Sequence, residues 1–210
     1  MTNIDPILSD NQYFKEAHAK RQIVLHHTAG GPNGYNAIHG WAYNAERVAT
    51  AYVICGKPDK TKTYEDGKIL KAFDDQYWAY HLGLKSSSNM ALNQGSIGIE
   101  ICNWGQLIYK DGKYLTYVNS EVSEDEVAKV DYRGFKYYHK YTDAQIESVK
   151  RLLVYLTDHY IIPKSFHSDM FMLNSMALAG ERGIWTHTSY RSDKNDCSPQ
   201  DNLIHMLQSL

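Results

Sequence analysis

The sequence predicts an α/β fold: a single domain with a central mixed β-sheet flanked by helices. Three observations predict it. Short runs of branched apolar residues, at 23–26 and 96–102, read as buried strands. Helical apolar spacing over 37–46 and again over 142–160 alternates with them. Between the two strong strands stands a hairpin turn, Glu65-Asp66-Gly67, which adds an antiparallel pair. The 210 residues fit one domain, and no internal repeat or low-complexity linker divides them.

The elements follow in order. Residues 1–20 read as a partly helical lead-in, with Asp10 capping a short helix that carries Tyr13, Phe14 and Ala17. Ile23-Val24-Leu25 is a short strand that stops at His26 and His27, and Gly30-Gly31-Pro32 turns the chain away. Asn36 is a fair N-cap for a helix over 37–46 burying Ile38, Trp41, Ala42 and Ala45. Residues 48–55 read as a strand, and 61–64 with 69–73 as a hairpin. Asn93 to Gly95 is turn-like. In Ser96-Ile97-Gly98-Ile99-Glu100-Ile101-Cys102, alternation sets the three isoleucines on one face and Glu100 on the other. A carboxylate inside such a strand is costly unless it meets a cleft, a cation or a donor; the bland reading is an edge strand facing solvent. Residues 105–141 form a polar, Tyr-rich insert whose acidic run, Glu121 to Glu126, is a solvated face. Thr142 and Gln145 match a capping box that opens a helix to about Tyr160, burying Ile146, Val149, Leu152, Leu153 and Leu156. A short helix around 170–178, the polar loop from His187 to Cys197 and a closing helix over 201–210 complete the chain.

Composition narrows the function. The net charge of −2, with its cations scattered, gives no basic stripe for nucleic acid or an anionic membrane. Three cysteines make no disulfide framework. No secretory leader and no membrane-spanning run is evident, so the chain is expected to be cytoplasmic as synthesised unless another factor releases it. Seventeen tyrosines suit polar ligands such as sugars and peptides, although most are expected to be half-buried structural residues.

Of ten histidines, most need no special role. His26 ends a buried strand, where an imidazole is a metal ligand, a general base or a satisfied polar group. His187 and Cys197 also stand where a strand or loop ends. Two imidazoles and a thiolate are a good zinc set, and three protein ligands leave a fourth position open, as in catalytic rather than structural sites.

His26-His27-Thr28-Ala29-Gly30 after its strand, Ser96 to Glu100, and His187 followed ten positions later by Cys197-Ser198-Pro199 occur in that order. Tyr80-His81-Leu82-Gly83, Asn93 and Tyr141-Thr142-Asp143-Ala144-Gln145 add to the pattern. The set, covering roughly 21–209, resembles the zinc-dependent N-acetylmuramoyl-L-alanine amidase family (amidase type 2), which includes short phage lysozymes and peptidoglycan recognition proteins. The resemblance implies the amidase-like α/β fold and one zinc ion per chain on His26, His187 and Cys197. It implies Glu100 as the acidic catalytic residue and His81, Asn93 and His27 as substrate-side residues, with His27 orienting the site or capping the strand. His167-Ser168-Asp169 is a rival for the second ligand, but the residue ten positions on is Ala177, which cannot ligate. Relatives often carry a catalytic Lys two positions before the third ligand. Counting from Cys197, that position is Asn195, and a loop shift of one residue is needed to bring in Lys194. A Tyr that some relatives carry on the second strand matches Thr50 here, and Tyr52 would replace it only from another depth.

The implied activity is zinc-dependent hydrolysis of the amide joining N-acetylmuramic acid to L-alanine in peptidoglycan or muropeptides, by a monomer acting as a phage or prophage endolysin. The alternatives are a non-catalytic peptidoglycan-binding module of the same fold, a muropeptide-recycling or secreted-effector amidase, and a zinc hydrolase acting on another amide.

Overall fold

Gln22–His27 (β1) is buried along its whole length. Strands covered on both faces read as continuous apolar runs, as Ile23-Val24-Leu25 does. The computed structural model describes residues 7–59 and 64–210. After β1 come Gly34–Trp41 (α1), Tyr52–Ile54 (β2), Ile69–Lys71 (β3), Asn89–Gln94 (α2) and Ser96–Ile101 (β4). The insert carries Ile108–Lys110 (β5), Lys113–Leu115 (β6), Glu121–Val122 (β7), Val127–Tyr132 (β8) and Phe135–His139 (β9). Asp143–Tyr160 (α3), Ser175–Leu178 (α4), Gly183–Thr186 (β10) and Asp201–Gln208 (α5) finish the chain.

The main sheet has the order β10-β1-β4-β2-β3, parallel except for β3, so it is the mixed sheet expected. Its register builds the site. Gln22, Val24 and His26 stand beside Ser96, Gly98 and Glu100, and on the other side Leu25 pairs with Thr186. Period-2 alternation therefore puts His26 and Glu100 on one face, with His27 and the isoleucines on the other. α3 is capped as the sequence indicates: Thr142 accepts from the Gln145 amide, and Gln145 accepts from the Thr142 amide. Its stripe of Val149, Leu152, Leu153 and Leu156 is fully buried. Among the described residues no helix is long and apolar enough to cross a membrane.

Several elements differ from expectation. The lead-in helix reduces to a 3-10 turn at Asp10–Gln12. Beyond it Phe14 bridges to Trp78 with stacked rings 4.0 Å apart, and Tyr13 stacks on Phe73 at 5.0 Å. Tertiary aromatic contacts override the helical spacing there. α1 starts earlier than 37 because Asn33, not Asn36, is the cap and accepts from the Tyr35 amide. It stops at Trp41, and Asn44 Oδ1 then accepts from the amides of Glu46 and Val48, which closes a turn. Asn93 lies in a helix rather than a turn. The strand over 48–55 shrinks to 52–54, and its hairpin partner is β3. Residues 61–63 of the expected hairpin lie outside the described residues. The insert is not merely polar loop: Asp111-Gly112 and Arg133-Gly134, all at positive φ, close two hairpins, β5–β6 and β8–β9.

Candidate metal centre and active site

The ends of β1 and β10 deliver two imidazoles to one point. His26 is the fifth residue of β1, and His187 directly follows β10, whose Thr186 pairs with Leu25. The loop after His187 returns Asp196 to the same place. Asp196 Oδ2 lies 2.9 Å from His187 Nδ1 and 3.2 Å from His26 Nδ1, and the two Nδ1 atoms are 3.1 Å apart. All three side chains are buried.

The chemistry of this set fits a metal cation. His187 Nε2 is 3.0 Å from the Leu82 carbonyl oxygen, which only accepts, so Nε2 carries the proton. In the Nε2-protonated tautomer, Nδ1 turns its lone pair toward an acceptor-only carboxylate. Lone pairs so placed repel unless a cation lies among them. Two imidazoles and a carboxylate are a known zinc donor set, and three protein ligands leave an open position. Burial, then His187, lowers the His26 pKa to about 4. Burial alone would raise the Asp196 pKa, but its close contacts with His187 and His26 outweigh this and hold it well below the usual carboxylate range. Near neutral pH the set therefore offers a neutral imidazole on His26 and an ionised carboxylate, the forms that bind metal.

Cys197 is the correction. Asp196, not Cys197, joins the two histidines. The thiol is fully buried beside the Tyr141 hydroxyl, and burial, then the Asp196 charge, raises its pKa well above the ordinary value. Counted from Asp196, Lys194 stands two positions before the third member of the cluster, the spacing the resemblance calls for, with no loop shift.

A cavity of about 250 Å³ opens on this cluster, bordered among others by Thr50, His81, Glu100 and Lys194. Glu100 sits across the strand pair from His26. Its Oε2 is buried with no hydrogen-bond partner among the described residues. Burial, then the Asp196 charge, pushes the Glu100 carboxyl well above its usual range, against the pull of Lys194. A larger groove of about 610 Å³, bordered by Trp104, Lys57, His139 and Lys140, contains none of these groups.

The other expected site residues fall into different places. Asn93 is fully buried, and its Oδ1 accepts from the backbone amides of His81 and Leu82, at 2.8 and 3.1 Å. His81 borders the cavity, but its ring is engaged behind His26, with Nδ1 3.0 Å from His26 Nε2. His27 also borders the cavity, yet its ring points to the other sheet face, where Nδ1 meets the Tyr141 hydroxyl at 3.1 Å. His167 stacks on Trp185 at 4.6 Å, outside the cluster. Tyr52 is buried opposite Ile99, on the face away from Glu100, because the strand begins only at Tyr52 and alternation cannot be carried back to Thr50. Asp196 is the group the sequence reading missed. Its signal was the Lys194-Asn195-Asp196 spacing.

The family model described as N-acetylmuramoyl-L-alanine amidase matches residues 16–199. No curated protein matches the sequence. Solved structures share the fold at low identity. A mutant endolysin from Bacillus subtilis superposes with a TM-score of 0.55 at 13% identity, over 100% of this chain and 98% of that one. The catalytic domain of XlyA gives 0.54 at 14%, covering 99% and 98%. AmpDh3 from Pseudomonas aeruginosa, in complex with an anhydromuramic pentapeptide, gives 0.55 at 19%, covering 98% of this chain and 66% of that one.

Proposed function

Since the chain belongs to the N-acetylmuramoyl-L-alanine amidase family, we propose that it hydrolyses the amide between N-acetylmuramic acid and L-alanine in peptidoglycan with one zinc ion held by His26, His187 and Asp196. The observation that carries this reading is the convergence of two imidazole nitrogens and a carboxylate oxygen within 3.2 Å of one another, beside Glu100, whose buried Oε2 has no hydrogen-bond partner among the described residues. Zinc bound there supplies Lewis acidity toward the scissile carbonyl and the attacking water. Glu100 takes the proton from that water and later delivers it to the leaving amine of L-alanine. A carboxyl with raised proton affinity suits both halves of that transfer. Lys194, at the cavity border, would stabilise the negative charge that the carbonyl oxygen gains. The fold shared with an endolysin and with a protein solved with a muropeptide supports a cell-wall substrate. In the cell the chain would act as a phage or prophage endolysin, reaching the wall after a membrane-permeabilising partner opens the way.

Mass spectrometry of sacculi digested by the wild type and by Glu100→Gln tests the reaction. The wild type should release free stem peptides and leave glycan strands intact, and the variant should release none. Shortened glycans would overturn the bond assignment, and binding without cleavage by zinc-loaded protein would reduce the chain to a binding module.

A further inference from the structure

The hydrogen bonds behind His26 fix where its proton sits. Ser96 Oγ lies 2.7 Å from the Leu92 carbonyl oxygen. That oxygen only accepts, so the serine spends its one proton there. What Ser96 shows to His81 Nε2, 2.9 Å away, is a lone pair, so Nε2 carries a proton and donates. Among the described residues the His81 ring nitrogens meet only Ser96 Oγ and His26 Nε2, with no carboxylate to balance a second proton, so Nδ1 is bare. His26 Nε2, at 3.0 Å, must then be the donor to it. A neutral His26 with its proton on Nε2 has a bare Nδ1, the atom that faces His187 and Asp196.

We propose that Ser96 and His81 form a relay that holds His26 in its Nε2-protonated tautomer and so presets Nδ1 as a metal ligand. Both are positioning residues. The inference rests on the zinc reading above. Metal-bound imidazoles ordinarily donate their second N–H to a carboxylate, a carbonyl or a water. An imidazole acceptor does that work only if its own proton is pinned elsewhere, which is the role of Ser96.

The surrounding structure is shaped for the relay. Ser96, Gly98 and Glu100 share one face of β4. A Cβ at Gly98 would stand 3.2 Å from His81 Cγ and 2.7 Å from Thr50 Cγ2, so glycine makes room for the ring between the serine and the glutamate. Asn93 binds the backbone amides of both His81 and Leu82. The two ligand imidazoles are thus oriented by consecutive residues, His26 by the His81 ring and His187 by the Leu82 carbonyl, and one buried amide holds that pair in place.

The test compares zinc affinity, by chelator competition, in the wild type, Ser96→Ala, Ser96→Thr and His81→Leu, with folding checked by circular dichroism. Ser96→Ala and His81→Leu should each weaken zinc binding by roughly 10- to 100-fold. Ser96→Thr, which keeps the hydroxyl, should restore most of it. Nitrogen-15 NMR of the metal-free protein adds a readout that a merely structural role would not move. His26 should show a protonated Nε2 in the wild type and a mixture of tautomers in Ser96→Ala. Folded Ser96→Ala and His81→Leu proteins with wild-type zinc affinity and an unchanged His26 tautomer would overturn the relay. A wild type that takes up no zinc would instead overturn the metal reading, and the NMR pattern would then decide on the relay alone.

Discussion

Asp196 and Cys197 are neighbours in sequence, and only the first faces the two imidazoles. The sequence reading favours Cys197 because two imidazoles and a thiolate are a good zinc set and because it stands ten positions after His187, as the resemblance implies. The structure reverses that preference by placement: the thiol is closed off against Tyr141, whereas the Asp196 carboxylate lies against both imidazoles. The two residues are therefore expected to separate cleanly by mutation. Asp196→Asn should lose zinc at micromolar free metal and lose wall hydrolysis with it, because the amide offers a neutral oxygen in place of a charged one. Cys197→Ala should keep both activities and change only stability, by the small amount expected for trimming a buried thiol to a methyl. Metal content after gel filtration, followed by hydrolysis of sacculi, distinguishes them. Zinc retained by Asp196→Asn and lost by Cys197→Ala would return the third ligand to the cysteine.

At the scale of elements, the site is a consequence of strand register. β1 and β4 are parallel partners from Gln22–Ser96 to His27–Ile101, so a shift of either by one residue would send His26 or Glu100 to the opposite face. At Gly98 in β4 the backbone is ordinary and the constraint is space alone. Gly98→Ala is expected to cost about 1–3 kcal/mol through overpacking against Thr50 and His81. It should also weaken zinc binding, because the His81 ring behind His26 must give way. Urea unfolding and chelator competition measure the two effects, and an alanine variant with unaltered values in both would show that β4 has slack at this point. Much of this level was legible beforehand. The strands at His26 and Glu100 and the capping box at Thr142 have local signatures, and the structure places them as read. What the sequence hid were contacts made over distance. The stacking of Phe14 on Trp78 turns an apparent helix into an extended segment, and the engagement of Asn93 with the His81 and Leu82 amides turns an apparent ligand contact into a support.

Across the whole molecule, the insert is tied to the loop that carries Asp196. The sequence reading took 105–141 for a polar, Tyr-rich insert and assigned it no strands, although Asp111-Gly112 is a strong hairpin signal between Ile108-Tyr109-Lys110 and Lys113-Tyr114-Leu115. The second hairpin, β8–β9, turns at Arg133-Gly134 and reaches across the fold. The Tyr132 hydroxyl donates to the Phe171 carbonyl at 2.8 Å, and Arg133 Nη1 donates to the Ser192 carbonyl at 2.8 Å, inside the loop between His187 and Asp196. Tyr138, fully buried, donates to the Tyr132 carbonyl and anchors the hairpin tip from beneath. The third ligand comes from a loop, and a loop holds a ligand only as well as its supports hold the loop. The double variant Tyr132→Phe, Arg133→Ala removes two of these hydrogen bonds, worth about 1–3 kcal/mol together. Amide hydrogen exchange over 188–196 should accelerate to match, while the amides of β1 and β4 keep their protection, because the sheet does not depend on this contact. Zinc affinity should fall in the same proportion as the loop protection, as expected when a ligand must be ordered before it can bind. Unchanged exchange in 188–196 would show that the hairpin merely lies beside the ligand loop.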